Sequence, residues 1–388
     1  MQTQFFRPAE LSLMALATAL MLTGSVLAQD AAVPEPMPAD AAPADAAAPA
    51  SDSSDLAETD DSGTMERAHP EMKMVLEKLM ELGAKPVHTL SVEEARLQKT
   101  PADAVVGVLV DKGESAAPEA VGSLKEITIP GAEGNLKARV YTPAGEGPFP
   151  VIVYFHGGGW VIADPVVYDA SERALSNQAN AIVVGPYYSK GPEHRFSAAQ
   201  DDAIAVYKYV VENGGEWNAD TDRIAVAGES AGGNLAVNVA IAARDQKLQT
   251  PDAVIAVYPV AGADLNTPSY IENQNATPLG KADIEWFVEN YANSMDDTKD
   301  TRFDLVHADL SDLPPTTIIG AEIDPLASEG KTLADNLTAA GVEVKYQLWD
   351  GVTHEFFGMA AVVPEAQEAQ DFAGESLRAA FGTIAVSP

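Results

Sequence analysis

The most constraining feature of this sequence is residues 222–233, in which a short buried strand leads through a serine directly into a helix. Residues 224–226 are apolar, and small and apolar residues recur at helical spacing after the turn. The turn itself is a G-x-S-x-G pentapeptide. Because Gly228 and Gly232 have no side chains, strand and helix can approach closely and Ser230 is pushed out at the top of the sheet. The pentapeptide alone also fits an ordinary glycine-rich turn, so the rest of the chain has to decide.

Composition sets the limits within which that turn must fold. The 388 residues suffice for one large α/β domain or two ordinary ones, and 46% of them are hydrophobic. The chain has no cysteine, which excludes disulfides, thiolate metal sites and a cysteine nucleophile. Its net charge of -34 argues against nucleic acid or an anionic membrane surface as a partner.

The first 28 residues resemble an export signal. Arg7 supplies a positive start, residues 11–22 are almost continuously apolar, and small residues precede Gln29 where a signal peptidase would cut. We therefore expect residues 1–28 to be a cleaved signal peptide and the mature protein to be periplasmic or secreted. The alternative is an uncleaved membrane anchor, for which this stretch is marginal in length and polarity.

Residues 29–63 are rich in Ala, Pro and Asp and contain no Lys or Arg. Such a composition offers almost nothing to bury, so it predicts a disordered linker.

A helical region is predicted for residues 64–115. Apolar residues recur at helical spacing over residues 65–82, and residues 102–110 continue the helical pattern. Between them, Ser91 and Glu94 stand at the spacing of a capping box, which marks a helix start. These helices predict a small N-terminal cap that either covers a pocket or only packs on the larger domain.

The catalytic domain is predicted over residues 116–388. Residues 124–129 and 136–141 read as a β-hairpin, and strands then alternate with helices. The later predicted strands cover residues 151–155, 181–184, 253–260, 316–319 and 344–348, and the main helices cover residues 197–211, 327–340 and 364–381. This order predicts an α/β fold with a mostly parallel central sheet and helices on both faces. Residues 264–293 interrupt the repeat, with helical residues 282–291 as a candidate lid.

A glycine-rich loop follows the apolar strand of residues 151–155. Residues 156–160 read His-Gly-Gly-Gly-Trp, and three consecutive glycines let backbone N–H groups approach a substrate oxygen without an intervening Cβ. With the N–H of Ala231, just after the serine, they would form an oxyanion hole. A phosphate-binding loop would need a following Lys or Ser/Thr, which this loop lacks.

A nucleophilic serine also needs a histidine base and a carboxylate to orient it. The histidines are His69, His88, His156, His194, His307 and His354. His354 is the best candidate base because it follows a late predicted strand directly, whereas His156 precedes the serine and better suits a brace for its own loop.

The carboxylate is sought after the strand of residues 316–319. Asp324 follows that strand and precedes a proline that opens a helix. Glu322 and Asp350 are the alternatives, although Glu322 lies close to the strand and Asp350 close to the histidine. With Asp324, the residues occur in the order Ser230, Asp324, His354, which is the chain order of α/β-hydrolases.

These motifs together resemble the hormone-sensitive-lipase family of α/β-hydrolases (bacterial esterase family IV). The resemblance spans about residues 65–385 and rests on residues 156–160, 191–196, 228–233, 324–326 and 351–356.

The resemblance implies a role for each matching residue. Ser230 would be the nucleophile, His354 the base and Asp324 the orienting acid. The oxyanion donors would be the backbone N–H groups of Gly158, Gly159 and Ala231, while Gly157 shapes the loop. The resemblance also implies an N-terminal helical cap and no cofactor or metal.

This chain departs from the family pattern at three places that bear on the shape of the substrate pocket. Glu229 stands where Asp or Thr is usual beside the serine, and residues 188–191 and 327–330 differ from the family pattern. The substrate preference is therefore less well defined than the reaction.

The predicted function is a serine carboxylesterase that hydrolyses short- to medium-chain esters through an acyl-enzyme. Its partner would be a small-molecule ester. An arylformamidase-like amide hydrolase with a similar glycine loop is the first alternative, and a ligand-binding protein that has lost catalysis is the second. The last helix, near Leu377, is a candidate homodimer contact, although packing on the sheet explains its apolar face equally well.

Overall fold

The computed structural model describes residues 63–383. The predicted signal peptide, residues 1–28, and all but the last residue of the predicted linker, residues 29–63, lie outside the described residues. Within the described part the helices are α1 (Thr64–Arg67), α2 (Pro70–Glu81), α3 (Val92–Leu97), α4 (Pro101–Lys112), α5 (Asp169–Ala179), α6 (Ala198–Asn213), α7 (Ala231–Asp245), α8 (Pro268–Glu272), α9 (Lys281–Tyr291), α10 (Ala327–Ala339) and α11 (Pro364–Ala380). Short 3₁₀ turns cover Val87–Thr89, Gly214–Trp217, Met295–Lys299, Leu305–His307 and Phe356–Met359.

The strands form one twisted sheet in the order β1-β2-β4-β3-β5-β6-β7-β8. Their bounds are β1 (Ser123–Gly131), β2 (Gly134–Thr142), β3 (Phe149–Phe155), β4 (Ile182–Pro186), β5 (Ala219–Glu229), β6 (Ala253–Val257), β7 (Thr316–Ile323) and β8 (Val344–Thr353). β1 pairs antiparallel with β2, and β2 antiparallel with β4, while every later pairing is parallel. The predicted α/β fold with a mostly parallel sheet is confirmed.

Helices cover both faces of the sheet, which explains why the central strands are apolar throughout. All residues of β3, β4 and β6 are buried. On one face, α6, α7 and α10 pack with the sheet into a hydrophobic cluster; on the other face α2, α4, α5 and α11 form a second cluster. The carboxyl ends of the parallel strands therefore meet at one edge, where an α/β sheet places its site.

Several elements differ from the sequence prediction. β6 ends at Val257 rather than residue 260, and β7 continues to Ile323 rather than ending at residue 319. Helix α5 was not predicted, because buried polar side chains such as Ser171 and Glu172 interrupt its apolar stripe. A parallel pair such as β3 and β4 nevertheless requires a crossover, which α5 supplies. β5 begins at Ala219, ahead of its apolar run, and β8 continues to Thr353 rather than ending at residue 348.

The N-terminal helices pack directly on the end of β8. The backbone N–H of His69 donates to the carbonyl of Gly351 at 2.8 Å, and the Thr353 hydroxyl lies 3.7 Å from the sulfur of Met72. The predicted capping box at the start of α3 is confirmed, since Ser91 accepts from the N–H of Glu94. The division into a cap of residues 64–115 and a catalytic domain of residues 116–388 stays a prediction. No helix within residues 63–383 is both long and apolar enough to cross a membrane.

Candidate active site

Ser230 stands on the sharp turn between β5 and α7. Its backbone has φ 57° and ψ -119°, a strained conformation for a residue with a Cβ, and only 5% of its surface is exposed. A Cβ on Gly228 would overlap the carbonyl of Gly232, and one on Gly232 would overlap the carbonyl of Phe155. The N–H of Ser230 donates to the carbonyl of Val257 at 2.9 Å. The glycines therefore allow the approach that holds the serine in this conformation.

The structure brings Ser230, His354 and Asp324 together. Nε2 of His354 lies 3.0 Å from Oγ of Ser230, and Nδ1 of His354 lies 2.7 Å from Oδ2 of Asp324. Asp324 is fully buried and its other oxygen accepts from the N–H of Leu326 at 2.9 Å. The strands that carry the three residues end at the same edge of the sheet. Such an arrangement can pass a proton from the serine to the histidine.

Neither alternative carboxylate contacts the histidine in this way. Glu322 accepts from the N–H of Gly351 at 2.7 Å and faces Arg67 at 3.3 Å. Asp350 is exposed. Glu322 thus supports the loop before His354, and Asp324 orients the ring.

The protonation of His354 follows from its neighbours. Burial lowers its pKa and is the largest single influence, but the charge of Asp324, its hydrogen bond and the charges of Glu355 and Glu229 together raise the pKa above the ordinary value. When the ring is neutral, the N–H at Nδ1 donates a hydrogen bond to Asp324, which leaves the lone pair of Nε2 facing Ser230. His354 is therefore placed as a base.

Backbone donors lie in the loop after β3. Gly158 and Gly159 have φ 95° and 57°, values that favour glycine. The carbonyl of Gly158 accepts from the N–H groups of Val161 and Ile162 at 3.0 and 2.9 Å, which closes the loop into a tight turn. Among residues 63–383, none accepts a hydrogen bond from the N–H of Gly158, Gly159 or Ala231. These are the predicted oxyanion donors, and they remain available to a substrate oxygen.

Aromatic side chains pack tightly against the same loop. A Cβ on Gly159 would overlap the ring of Phe287 in α9, and a Cβ on Gly157 would overlap the hydroxyl of Tyr168. Trp160 stacks on Tyr291, also in α9, with ring centres 5.1 Å apart. Helix α9 lies in the predicted lid region of residues 264–293, and it contacts the oxyanion loop.

His156 has a supporting position in this loop. Its Nδ1 donates to the carbonyl of Gly157 at 2.7 Å, and its ring stacks on Tyr188 at 4.2 Å. Burial, with a smaller effect of Lys190, lowers the pKa of His156 to about 3, so the ring stays neutral. It braces the loop, and it makes no contact with Ser230.

Sequence reasoning assigned no catalytic role to two carboxyl groups beside the site, the buried Glu229 and the partly buried Glu355. Glu229 accepts hydrogen bonds from the hydroxyls of Tyr154 and Tyr258. Burial, reinforced by the charge of Glu355, raises the pKa of Glu229 to about 7. Glu355 accepts from Tyr168 at 2.7 Å, and its Oε1 lies 3.9 Å from Nε2 of His354. The available signal was their position, directly before the serine and directly after the histidine.

No group of three or more His, Asp or Glu side chains in the described part of the chain has the arrangement of a metal site.

Comparisons with known proteins agree with this geometry. The profile of a family described as alpha/beta hydrolase fold matches residues 152–358. Carboxylesterase NlhH of Mycobacterium tuberculosis (strain ATCC 25618 / H37Rv) is 40% identical over 255 residues, which cover 63% of this chain and 79% of that protein. Ethyl acetate hydrolase of Pseudomonas putida is 32% identical over 298 residues, which cover 76% of this chain and 92% of that protein.

Solved structures give the same result. The hyperthermophilic esterase from the archaeon Pyrobaculum calidifontis superposes with a TM-score of 0.72 at 32% identity, covering 81% of this chain and 98% of that one. Sequence, fold and site agree, and the resemblance seen in the motifs is confirmed. The chain belongs to the α/β-hydrolase fold family, in its hormone-sensitive-lipase-like branch of carboxylic ester hydrolases.

Proposed function

We propose that this enzyme hydrolyses short- to medium-chain carboxylic esters through an acyl-enzyme on Ser230. One observation supports the proposal most strongly: the buried relay in which His354 lies 3.0 Å from Ser230 and 2.7 Å from Asp324. Ester hydrolysis is the activity named for both relatives described above, and the ethyl acetate hydrolase of Pseudomonas putida is named for a small ester.

Acylation begins when Oγ of Ser230 attacks the ester carbonyl carbon. The serine proton moves to Nε2 of His354, and Asp324 stabilises the imidazolium through its contact with Nδ1. The carbonyl oxygen gains the negative charge and accepts hydrogen bonds from the backbone N–H groups of Gly158, Gly159 and Ala231. The imidazolium then gives its proton to the departing alkoxide, so the alcohol leaves and the acyl group stays on Ser230.

Deacylation repeats the same steps with water. His354 takes a proton from a water molecule, whose oxygen attacks the acyl carbon, and the same three N–H groups hold the second oxyanion. The histidine returns its proton to Oγ of Ser230 as the carboxylic acid leaves. No other proton carrier is needed, because one nitrogen accepts and releases every proton in the cycle.

The aromatic side chains that pack on the oxyanion loop favour a substrate of modest size. Phe287 and Tyr291 of α9 pack against Gly159 and Trp160, so aromatic rings close the approach on that side. We therefore propose that short acyl chains are hydrolysed faster than long ones.

The test is the hydrolysis of a p-nitrophenyl ester series, from acetate to palmitate, by wild type and Ser230→Ala. We expect the highest kcat/KM at short to medium acyl chains and a loss of about 10⁴-fold or more in the variant. Matched anilides in the same assay measure amide hydrolysis. Faster hydrolysis of the anilides than of the esters, or of palmitate than of butyrate, would contradict the proposal.

We also propose that the enzyme is exported and that residues 1–28 are removed. The support is the pattern of charge and apolarity in that segment. N-terminal sequencing of the chain recovered from the periplasm or medium should begin at Gln29. Recovery of the intact N-terminus in the membrane fraction would instead indicate an anchor.

A further inference from the structure

His354 faces a second carboxyl group that the proposed triad does not use. Oε1 of Glu355 lies 3.9 Å from Nε2 of His354, on the same side of the ring as Oγ of Ser230. Asp324 occupies the opposite nitrogen. The histidine that carries every proton in the cycle therefore lies between two carboxyl groups, one at each nitrogen.

Glu355 is held in this position by its surroundings. It has φ 74°, a left-handed conformation uncommon for glutamate, and its carboxyl accepts from the hydroxyl of Tyr168 at 2.7 Å. The Tyr168 hydroxyl also packs against Gly157 of the oxyanion loop. A strained backbone at a site is a sign that the surrounding structure specifies the position of the side chain.

Glu229 is linked to the histidine through a tyrosine. Its two oxygens accept from Tyr154 and Tyr258, and the ring of Tyr258 lies 4.5 Å from the ring of His354, centre to centre. Glu229 is buried, whereas 20% of the Glu355 side chain is exposed. Burial raises the pKa of both carboxyl groups, and a positive charge on His354 opposes that rise at Glu355.

A small cavity joins the two carboxyl groups. It has a volume of about 20 Å³ and is lined by both glutamates, Tyr168 and Ser171 together with apolar residues of α4 and of the loop after β8. That volume has room for about one water molecule with several polar partners.

We propose that Glu355, with Glu229 behind it, is a positioning residue that stabilises protonated His354 from the Nε2 side. This inference rests on the proposed function, because it concerns the same histidine. When Ser230 attacks, its O–H bond breaks and an N–H bond forms at Nε2. The imidazolium then lies between Asp324 and Glu355 until the proton passes to the alkoxide.

The titratable groups that face the histidine and the two glutamates lie on a strand, on helix α5 and in loops. They are Tyr154 of β3, Tyr168 just before α5, Glu172 in α5, Tyr188 after β4, Tyr258 after β6 and Asp324 after β7. The tyrosines donate or stay neutral, since burial raises their pKa values, so the carboxyl groups provide the charge that acts on His354.

The test is the pH profile of kcat/KM for a short p-nitrophenyl ester, measured for wild type, Glu355→Gln, Glu355→Asp and Glu343→Gln. The Gln side chain keeps an acceptor for Tyr168 and removes the charge. Glu343 is exposed at the amino end of β8, so its variant removes the same charge far from the site. Wild-type turnover that is lost in Ser230→Ala, in the same assay, establishes the proposed function independently.

We expect Glu355→Gln to move the acid limb of the profile to lower pH by about one unit, with kcat reduced about three- to tenfold and KM within about twofold. The sign follows because a lost negative charge makes His354 harder to protonate. Glu355→Asp should keep the wild-type limb, and Glu343→Gln should be indistinguishable from wild type.

An acid limb that stays in place in folded Glu355→Gln, with wild-type turnover intact, overturns the inference and leaves the proposed function standing. A fall in kcat without a shift of the limb has the same meaning, because a purely structural defect would produce it. If Glu355→Gln does not fold, Glu229→Gln replaces it. That variant must move the limb in the same direction by a smaller amount, and an unmoved limb there overturns the inference equally.

Discussion

Individual residues at this site were predictable from the sequence where only one residue type fits the position. Only glycine fits the positions flanking Ser230 and the turn at Gly158, so these motifs could be recognised without a structure. The sequence left three carboxyl groups open as partners of His354, and only spatial contact distinguishes Asp324 from the others. The role of Glu355 could not be predicted, because its proximity to Nε2 depends on a left-handed backbone that no local pattern specifies.

Replacing the orienting acid should separate Asp324 from its nearest rival. Asp324→Asn places an amide at Nδ1 of His354 and favours the wrong tautomer, so kcat should fall by about 10³- to 10⁴-fold. Glu322→Gln is the matched control, because Glu322 contacts Gly351 and Arg67 and not the histidine ring. It should keep kcat within about threefold in the same p-nitrophenyl ester assay. A larger loss in Glu322→Gln than in Asp324→Asn would mean that the carboxylates are wrongly assigned.

A methyl group on the oxyanion loop should impair catalysis more than stability. Gly159→Ala puts a Cβ into the ring of Phe287 and must displace the loop, so we expect kcat to fall by about 10²-fold, the effect of losing one donor. Gly113→Ala is the control: Gly113 also has a positive φ, of 71°, but a Cβ there meets nothing within 4 Å.

Both variants add backbone strain of about 1 kcal/mol, measurable by urea unfolding. Only Gly159→Ala should lose activity. Equal kcat values in the two variants would show that the site accommodates the Cβ without moving its oxyanion donors, which would contradict the predicted loss.

At the scale of elements, long periodic segments were predictable and tertiary detail was not. The helices after Ser197 and Leu326 and the capping box at Ser91 follow from local patterns. Helix α5 was not predicted because its buried face carries Ser171, Glu172 and Ser176, which interrupt the apolar periodicity. The extension of β8 depends on its pairing with β7, which is a non-local interaction.

The N-terminal helices should influence catalysis through one arginine. Nε and Nη2 of Arg96 in α3 donate to the carbonyls of Val161 and Gly191 at 2.9 and 2.7 Å. The N–H of Val161 in turn donates to Gly158 in the oxyanion loop. We expect Arg96→Ala to lower kcat/KM about tenfold, because the oxyanion loop loses a charge-assisted hydrogen bond at Val161 and the loop after β4 loses one at Gly191.

The control for Arg96 separates these bonds from its ion pair. Arg96 also pairs with Glu193 at 2.7 Å, but Glu193 is more than half exposed and such pairs contribute about 0–1 kcal/mol. Glu193→Gln removes the pair and keeps both bonds to backbone carbonyls, so kcat/KM should stay within about twofold. If the two variants lose activity equally, the ion pair holds the loop and the carbonyl contacts do not.

For the whole molecule, the excess negative charge and the buried carboxyl groups both make the folded state less stable as the pH rises. The net charge of -34 makes the compact state self-repelling at neutral pH. Burial raises the pKa of Glu329 to about 8, against the opposing hydrogen bonds from the N–H groups of Ala261 and Gly262. Folded Glu329 therefore keeps its proton over a range in which the unfolded carboxyl, with a pKa of about 4.3, has lost it.

The free energy of unfolding should consequently fall as the pH rises. The folded state binds more protons than the unfolded state between pH values of about 4.3 and 8, so the contribution of Glu329 is fully present below that range and is lost as the pH approaches 8. We expect Tm to be lower at pH 8 than at pH 5. In Glu329→Gln the difference in the free energy of unfolding between these two pH values should be smaller by about 2 kcal/mol. Calorimetry at both pH values measures it.

Glu343→Gln is the control for overall charge, since it removes one exposed carboxylate. It should leave the pH dependence of Tm unchanged. A wild-type Tm that rises from pH 5 to pH 8, or equal effects of the two variants, would contradict the linkage to Glu329.

The most direct test of the central claim, that Ser230 is the nucleophile in a His354–Asp324 relay, is active-site titration with a p-nitrophenyl alkylphosphonate. This reagent transfers its phosphonyl group to an activated serine and releases nitrophenolate. We predict one nitrophenolate released per chain, complete loss of esterase activity, and the added mass on the peptide that contains Ser230. Labelling of a different residue, or turnover that survives complete labelling of Ser230, would contradict the mechanism.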